Sequence, residues 1–149
     1  MSFRGARLCC AVLACLAVLV PATTAQAGSR SSVVLERIND ARQSHGLHAL
    51  KFAPRLAQSS RSHARRVLRT DRFGHGSNES RRFRVRGEVL GYQPGWRLRP
   101  RQLVRLWLRS SSHRALLLHP TFRYAGYGRS RGRLGSSRAT IAVVRLGTP

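Results

Sequence analysis

All three cysteines of the chain, Cys9, Cys10 and Cys15, fall within the first 15 residues, so whatever follows must fold without a disulfide. The same segment carries Arg4 and Arg7, an apolar run from Leu8 to Val20, then Pro21 and the small-residue sequence Ala25-Gln26-Ala27. A basic start, a short apolar run and a small-residue site describe a secretory signal peptide. A membrane-spanning helix needs roughly 20 apolar residues. The run before Pro21 has 13, so residues 1–27 are expected to be a cleaved leader and not a transmembrane anchor. The rival reading is a lipoprotein modified at Cys15 after Leu13-Ala14, which would shorten the apolar run to seven residues. Removing 27 of 149 residues leaves 122, the length of one domain, which excludes multidomain enzymes and long repeat arrays. A cysteine-free exported domain of that size relies on its core, and it can bury roughly two-thirds of the unfolded chain's surface.

The second constraint is charge. Lys+Arg 28 against Asp+Glu 5 gives +23, and every basic residue except Lys51 is arginine. Loss of Arg4 and Arg7 with the leader lowers this only to +21. Such a surface collects polyanions by its field alone. Hydrophobic residues at 42% still exclude a wholly disordered basic tail.

After a polar lead over residues 28–32, Val34, Leu35, Ile38 and Ala41 recur at helical spacing, with Ser32 expected as N-cap and Gly46 as the stop. Leu47 to Phe52 reads as a short extended connection. Pro54 suits the first turn of a second helix whose buried stripe is Leu56, Ala57, Ser60, Ala64, Val67 and Leu68, while Arg55, Arg61, Arg65, Arg66 and Arg69 face out. From Thr70 to Pro100 the glycines and prolines predict a long irregular segment, in which Trp96 is expected to lie over the core, the alternative being an exposed ligand contact. Pro100 starts a third helix with Leu103, Val104, Trp107 and Leu108 inward. Ser110-Ser111-Ser112 ends that helix and is expected to supply a hydroxyl N-cap for a short turn from His113 to Leu118. Tyr124 to Arg129 and Thr140 to Leu146 read as strands joined by residues 130–137. Helices first and a terminal antiparallel hairpin predict an α+β fold for a single domain over residues 33–147.

The order of short motifs is informative where no single one is. Ile38-Asn39, Ala41-Arg42, Gly46-Leu47 and the run Pro54-x-Leu56 through Ser60-x-x-His63-Ala64 come first. Phe73-x-His75, Gly87-Glu88, Trp107-x-x-Ser110-x-x-His113-Arg114 with Leu117-Leu118-x-Pro120, and Tyr124-x-Gly126-Tyr127-Gly128 follow. Together they resemble the bacterial SCP-like branch of the CAP superfamily, which also holds cysteine-rich secretory proteins, antigen 5 and plant pathogenesis-related proteins. The resemblance runs from about Val33 to Gly147 and implies an α-β-α sandwich with a surface cleft lined by histidines and acidic residues. It places His75, Glu88, Ser110 and His113 at that cleft, with Ser110 where eukaryotic relatives carry a second Glu. Val89 stands where the family has Asn, and the segment between His75 and Glu88 is loaded with Arg81, Arg82, Arg84 and Arg86.

Three chemistries stay open for these residues. His75, His113 and Glu88 form a donor set compatible with zinc or another divalent cation. Alternatively the two histidines brace the cleft walls, with Glu88 accepting from a backbone donor or an arginine. The third is acid-base work by His75 and Glu88. Ser110, Ser111 and Ser112 adjoin His113, but helix capping accounts for them and no cysteine remains as a nucleophile. His45, His48, His63 and His119 are read as surface or packing residues, and Trp107 as core. The expected function is that of a secreted, extracytoplasmic and monomeric binding domain whose cleft takes a small molecule, a lipid, a metal or a cell-wall component. The alternatives are an extracytoplasmic hydrolase using His75 and Glu88, and a cationic polyanion binder. No motif for base-specific readout is present, so nucleic-acid binding is expected to be nonspecific.

The leader yields a direct expectation. The intact mass of the exported protein should match residues 28–149, and a lipidated species beginning at Cys15 would show the lipoprotein reading to be the right one.

Overall fold

The computed structural model describes residues 30–76, 83 and 86–149. The expected leader, residues 28 and 29 of the polar lead, and Arg81, Arg82 and Arg84 lie outside the described residues. Helix α1 (Arg30–Ser44) is followed by the two-residue strand β1 (Lys51–Phe52), helix α2 (Pro54–Thr70) and strand β2 (Arg86–Pro94). Helices α3 (Pro100–Arg109) and α4 (Ser111–Leu117) lead to the long hairpin β3 (Tyr124–Leu134) and β4 (Ser137–Gly147). One mixed sheet has the order β1-β3-β4-β2, with β1 parallel to β3 and the other pairs antiparallel. Helix α2 packs on one face of the sheet, and α1, α3 and α4 pack on the other, which gives the expected α-β-α sandwich.

Strand β4 carries both cores because successive side chains alternate across a sheet. Ala139, Ile141 and Val143 join Ala64, Val67 and Leu90 under α2, whereas Ala142, Val144 and Leu146 join Val34, Ile38, Leu103, Trp107 and Leu117 on the far side. The approach of α2 to β3 is unusually close. A Cβ at Gly126 would stand 2.0 Å from the Ala57 backbone nitrogen, and one at Gly128 2.2 Å from that of Arg61. These two glycines let the helix lie directly on the strand, and Ser60 Oγ then donates to Gly126 O at 2.7 Å.

Helix α1 ends as expected at Gly46, whose φ of 68° suits glycine. Leu47 N donates to Arg42 O and Gly46 N to Gln43 O, the paired bonds of a Schellman stop. The side chain of Arg42, in the last turn of α1, is fully buried. Its Nε donates to His48 O at 3.0 Å, one terminal nitrogen to Leu117 O at 2.7 Å and His119 O at 3.1 Å, and the other to Phe122 O at 3.3 Å. Burial, and then the neighbouring Arg123, hold its pKa below the ordinary guanidinium value.

Four local expectations are corrected. Helix α1 starts at Arg30, so Ser32 lies inside it instead of capping it. The segment expected to be irregular from Thr70 to Pro100 contains β2, an edge strand paired along its length with β4. Its Gly91 serves packing and not a turn, since a Cβ there would meet Leu103 and Trp107 at under 3 Å. The link between the hairpin strands shrinks to Gly135-Ser136, with glycine first as a type II′ turn requires. Trp96 is 52% exposed, and Arg138 lies 4.6 Å above its ring.

The Arg42 clamp sets a stability expectation. Arg42→Met keeps an apolar stem but takes the guanidinium from four carbonyls, of which Phe122 O retains His48 Nε2 at 2.9 Å, and should cost about 3 kcal/mol or more in denaturant unfolding. Arg37→Met, which removes only an exposed contact with Asp40, should stay within about 0.5 kcal/mol. Equal losses would mean that the clamp contributes nothing special.

Candidate functional site

Register builds the site. Glu88 on β2 and Arg145 on β4 are direct cross-strand partners. Both point to the α2 face, because Leu90 and Val143 beside them do. Arg145 Nε and a terminal nitrogen reach Glu88 Oε2 at 3.1 and 3.0 Å, and both side chains are about 5% exposed. The remaining terminal nitrogen of Arg145 contacts Ser59 Oγ on α2. A buried carboxylate thus meets a buried guanidinium in a two-point contact of the strong, charge-assisted kind.

The other oxygen, Glu88 Oε1, is occupied from the loop after α2. It accepts from Gly76 N at 3.0 Å and from His75 Nδ1 at 3.0 Å. The His75 ring thereby presents Nε2 outward, and its side chain is 62% exposed. His63, buried on α2, stands 3.6 Å from the same oxygen while its Nε2 donates to Gly74 O at 2.9 Å. That assignment leaves the buried Nδ1 of His63 without a partner.

His75, Gly76, Gly87, Glu88, Ser112, His113 and Leu116 border one depression of about 400 Å³. Three of the four residues expected at the cleft, His75, Glu88 and His113, are therefore brought together. Ser110 is not among the residues that line it. It occupies the N-cap position of α4 without a capping bond from its side chain, and its hydroxyl pairs with that of Ser112 at 3.3 Å. His113 has its pKa lowered, first by burial and then by the nearby His75.

The donor set does not suit a resident metal ion. Both oxygens of Glu88 are already engaged, and among the described residues no three His, Cys, Asp or Glu side chains are grouped so as to hold an ion. A cation entering at Glu88 would have to displace the Gly76 N–H or the Arg145 fork, and it would do so next to a guanidinium.

Sequence reasoning missed His63, Ser59 and Arg145. His63 follows Ser60 by three residues on the buried stripe of α2, a spacing that was legible. Arg145 interrupts the apolar run Ile141 to Leu146, and a charge inside a two-faced buried strand requires a partner. Helical phase and strand alternation were the available signals, but the cross-strand pairing with Glu88 depends on a register that no local pattern specifies.

Comparison with known proteins adds to this geometry. The family model described as "CAP: Cysteine-rich secretory protein family" matches residues 35–145. An outer surface protein from Borrelia burgdorferi has a similar structure, with 17% identity, a TM-score of 0.65, and coverage of 81% of this chain and 94% of that one. An extracellular protein containing a SCP domain from Bacillus anthracis shows 19% identity and a TM-score of 0.63, over 80% of this chain and 40% of that one. A cysteine-rich secretory protein from Staphylococcus aureus gives 20% identity and a TM-score of 0.60, over 85% of this chain and 41% of that one. The chain thus spans about two-fifths of the last two structures. A search of curated proteins returned no match. At these identities the structural likeness speaks for the fold.

The titration of His113 tests the geometry of the depression. Burial and the charge of His75 both oppose protonation, so its NMR midpoint should lie below 6.5. As pH falls through 6.5 toward that lowered midpoint, the unfolded chain takes up this proton before the folded one does. His113 therefore withdraws stability in that window and has no such effect above it. In His75→Gln the midpoint should rise yet stay under 6.5, because burial is the larger cause. A wild-type midpoint at or above 6.5 would place His113 outside the depression.

Proposed function

Because the chain belongs to the CAP, or cysteine-rich secretory protein, family, we propose that it acts as an exported, non-catalytic binding domain whose ligand contacts the imidazoles of His75 and His113. The observation that carries this reading is the saturation of Glu88. A general base needs a lone pair within reach of the substrate proton, and the lone pairs of this carboxylate are turned to Gly76, His75 and Arg145. Among the described residues no serine hydroxyl is hydrogen-bonded to His75 or His113, so they offer no activated nucleophile either. What remains is a shaped depression with two imidazole edges and the apolar patch of Leu116, the ingredients of recognition.

Export is supported by the leader-like sequence of residues 1–27 and by the extracellular description of the Bacillus anthracis relative. Among the described residues no helix is long and apolar enough to cross a membrane. A cell-wall glycopeptide is the ligand class we favour, since an exported bacterial-type domain meets it first and its amides and hydroxyls pair with imidazole nitrogens.

Soluble muropeptides, titrated while the histidine ring signals are followed by NMR, test the reading. Saturable movement of the His75 and His113 signals is expected, with the muropeptide recovered intact. Turnover that His75→Gln abolishes would replace binding by catalysis, and a zinc-binding heat lost in His75→Ala and His113→Ala would replace it by a metal site. Without a metal, His75→Ala should cost only about 1–2 kcal/mol of stability, through the donor lost to Glu88.

A further inference from the structure

Helix α2 carries a stripe that the His75–His113 depression does not use. Arg55, Ser59, Ser62 and Arg66 follow one another at intervals of four, three and four residues, and so share one face of the helix. With Gln58, His63 and Arg145 they line a compact recess of about 290 Å³. Among the described residues no carboxylate lines it. Among the described residues Arg55 and Arg66 have no acidic partner, and the nearest buried acid, Glu88, is committed to Arg145.

The hydroxyls are oriented by their neighbours. Ser59 Oγ takes a hydrogen bond from a terminal nitrogen of Arg145, and Ser62 Oγ takes one from Arg65 at 3.3 Å. Each oxygen acts as acceptor toward a guanidinium, which leaves its own O–H free to donate elsewhere. The recess therefore presents two guanidiniums and two hydroxyls as donors, against the Gln58 amide oxygen and the unpartnered Nδ1 of His63 as acceptors. A neutral polar ligand would leave those donors underused, whereas a tetrahedral oxyanion can use them together.

The recess does not end there. Ser62 and Arg66 also border a second groove, of about 640 Å³, between α2 and the outer part of β3. Its lining adds Arg65, Arg69, Arg131 and Arg133. Asp71, which ends α2 in a left-handed conformation, accepts from Gly135 N at the hairpin turn and so ties the far end of the helix to the far end of the strand. A groove held at its end by such a contact, continuous with an oxyanion recess and lined by arginines, has the form of a track.

We propose that the recess of Arg55, Ser59, Ser62 and Arg66 seats one phosphate group of a phosphate-bearing polymer, and that the chain on either side of that group continues along the groove toward Arg69 and Arg131. This goes beyond the field effect of a +23 chain, because it assigns a place, a donor set and a direction. It is independent of the muropeptide reading, since the recess and the His75–His113 depression share no lining residue among those described.

The experiment is calorimetric titration of the exported protein with linear polyphosphate of about 20 units and, in parallel, with inorganic phosphate at about 0.15 M salt. Two charge-matched double variants separate a seat from bulk attraction. Arg55→Gln with Arg66→Gln removes two charges at the recess, and Arg101→Gln with Arg105→Gln removes two exposed charges from α3. The recess variant should lose about tenfold or more in polyphosphate affinity and the α3 variant less than about twofold. Ser62→Ala should weaken binding about threefold while leaving the salt dependence unchanged, because it removes a donor and no charge. Equal losses in the two double variants would reduce the binding to bulk charge. Inorganic phosphate bound as tightly as the polymer would overturn the track. All four arginines are exposed, and thermal unfolding of each variant verifies that it folds.

Discussion

The fold depends on a cation that never reaches water. Arg42 is fully buried without a carboxylate, and four backbone carbonyls take its place. Leu117, the last residue of α4, is one of them, so the guanidinium sits at the negative end of that helix as well as in the last turn of its own. The same contact closes the turn after α1 through His48 and the entry to β3 through Phe122. A buried charge is costly unless each donor is met, and here each partner comes from a segment that lacks regular hydrogen bonding. The clamp holds these segments together where the described residues contain no cysteine. It ties the one layer of three helices to the start of the hairpin, and the parallel pairing of β1 with β3 lies directly beside it.

A second buried ion pair has a different consequence. Glu88 and Arg145 face each other across β2 and β4, and the groups that complete their hydrogen bonding come from α2 and the loop behind it. The pair thus fixes the loop carrying Gly74, His75 and Gly76 to the sheet, which in turn brings His75 to the depression it shares with His113. The same bonds that organise the depression withdraw Glu88 from proton transfer. A carboxylate can orient its surroundings or remain available to a substrate, and the contacts on both oxygens of Glu88 are those of the first role.

Helix α2 has two unlike faces. Its inner face is pressed so close to β3 that only glycine fits beneath it at 126 and 128, while its outer face offers arginines at nearly every turn. With so few acids in the chain, those arginines form no ion pair among the described residues. The net charge alone would give a diffuse attraction. The groove between helix and hairpin concentrates it along one line.

Much of this was legible in the sequence. Helical spacing located α2 and α3, Pro54 and Pro100 marked their starts, Gly46 marked the end of α1, and the order of short motifs identified the family and its sandwich. These are local signals: capping geometry, fixed proline φ and the period of apolar residues act within a few positions of the chain. Strand β2 was hidden because Gly87, Gly91 and Pro94 look like loop residues, although Gly91 is there to admit Trp107 from another layer. Trp96 was expected to be buried, yet it lies on the surface against Arg138, which is distant in sequence. His75, Glu88 and His113 could be named one by one, but the sequence held no measure of who occupies whose lone pairs. Strand register decided that Arg145 stands opposite Glu88, and packing decided that α2 carries His63 and Ser59 to them. Register and packing are long-range terms settled only when the layers close, so the chemistry of the site belongs to the tertiary structure while the identity of the fold belongs to the sequence.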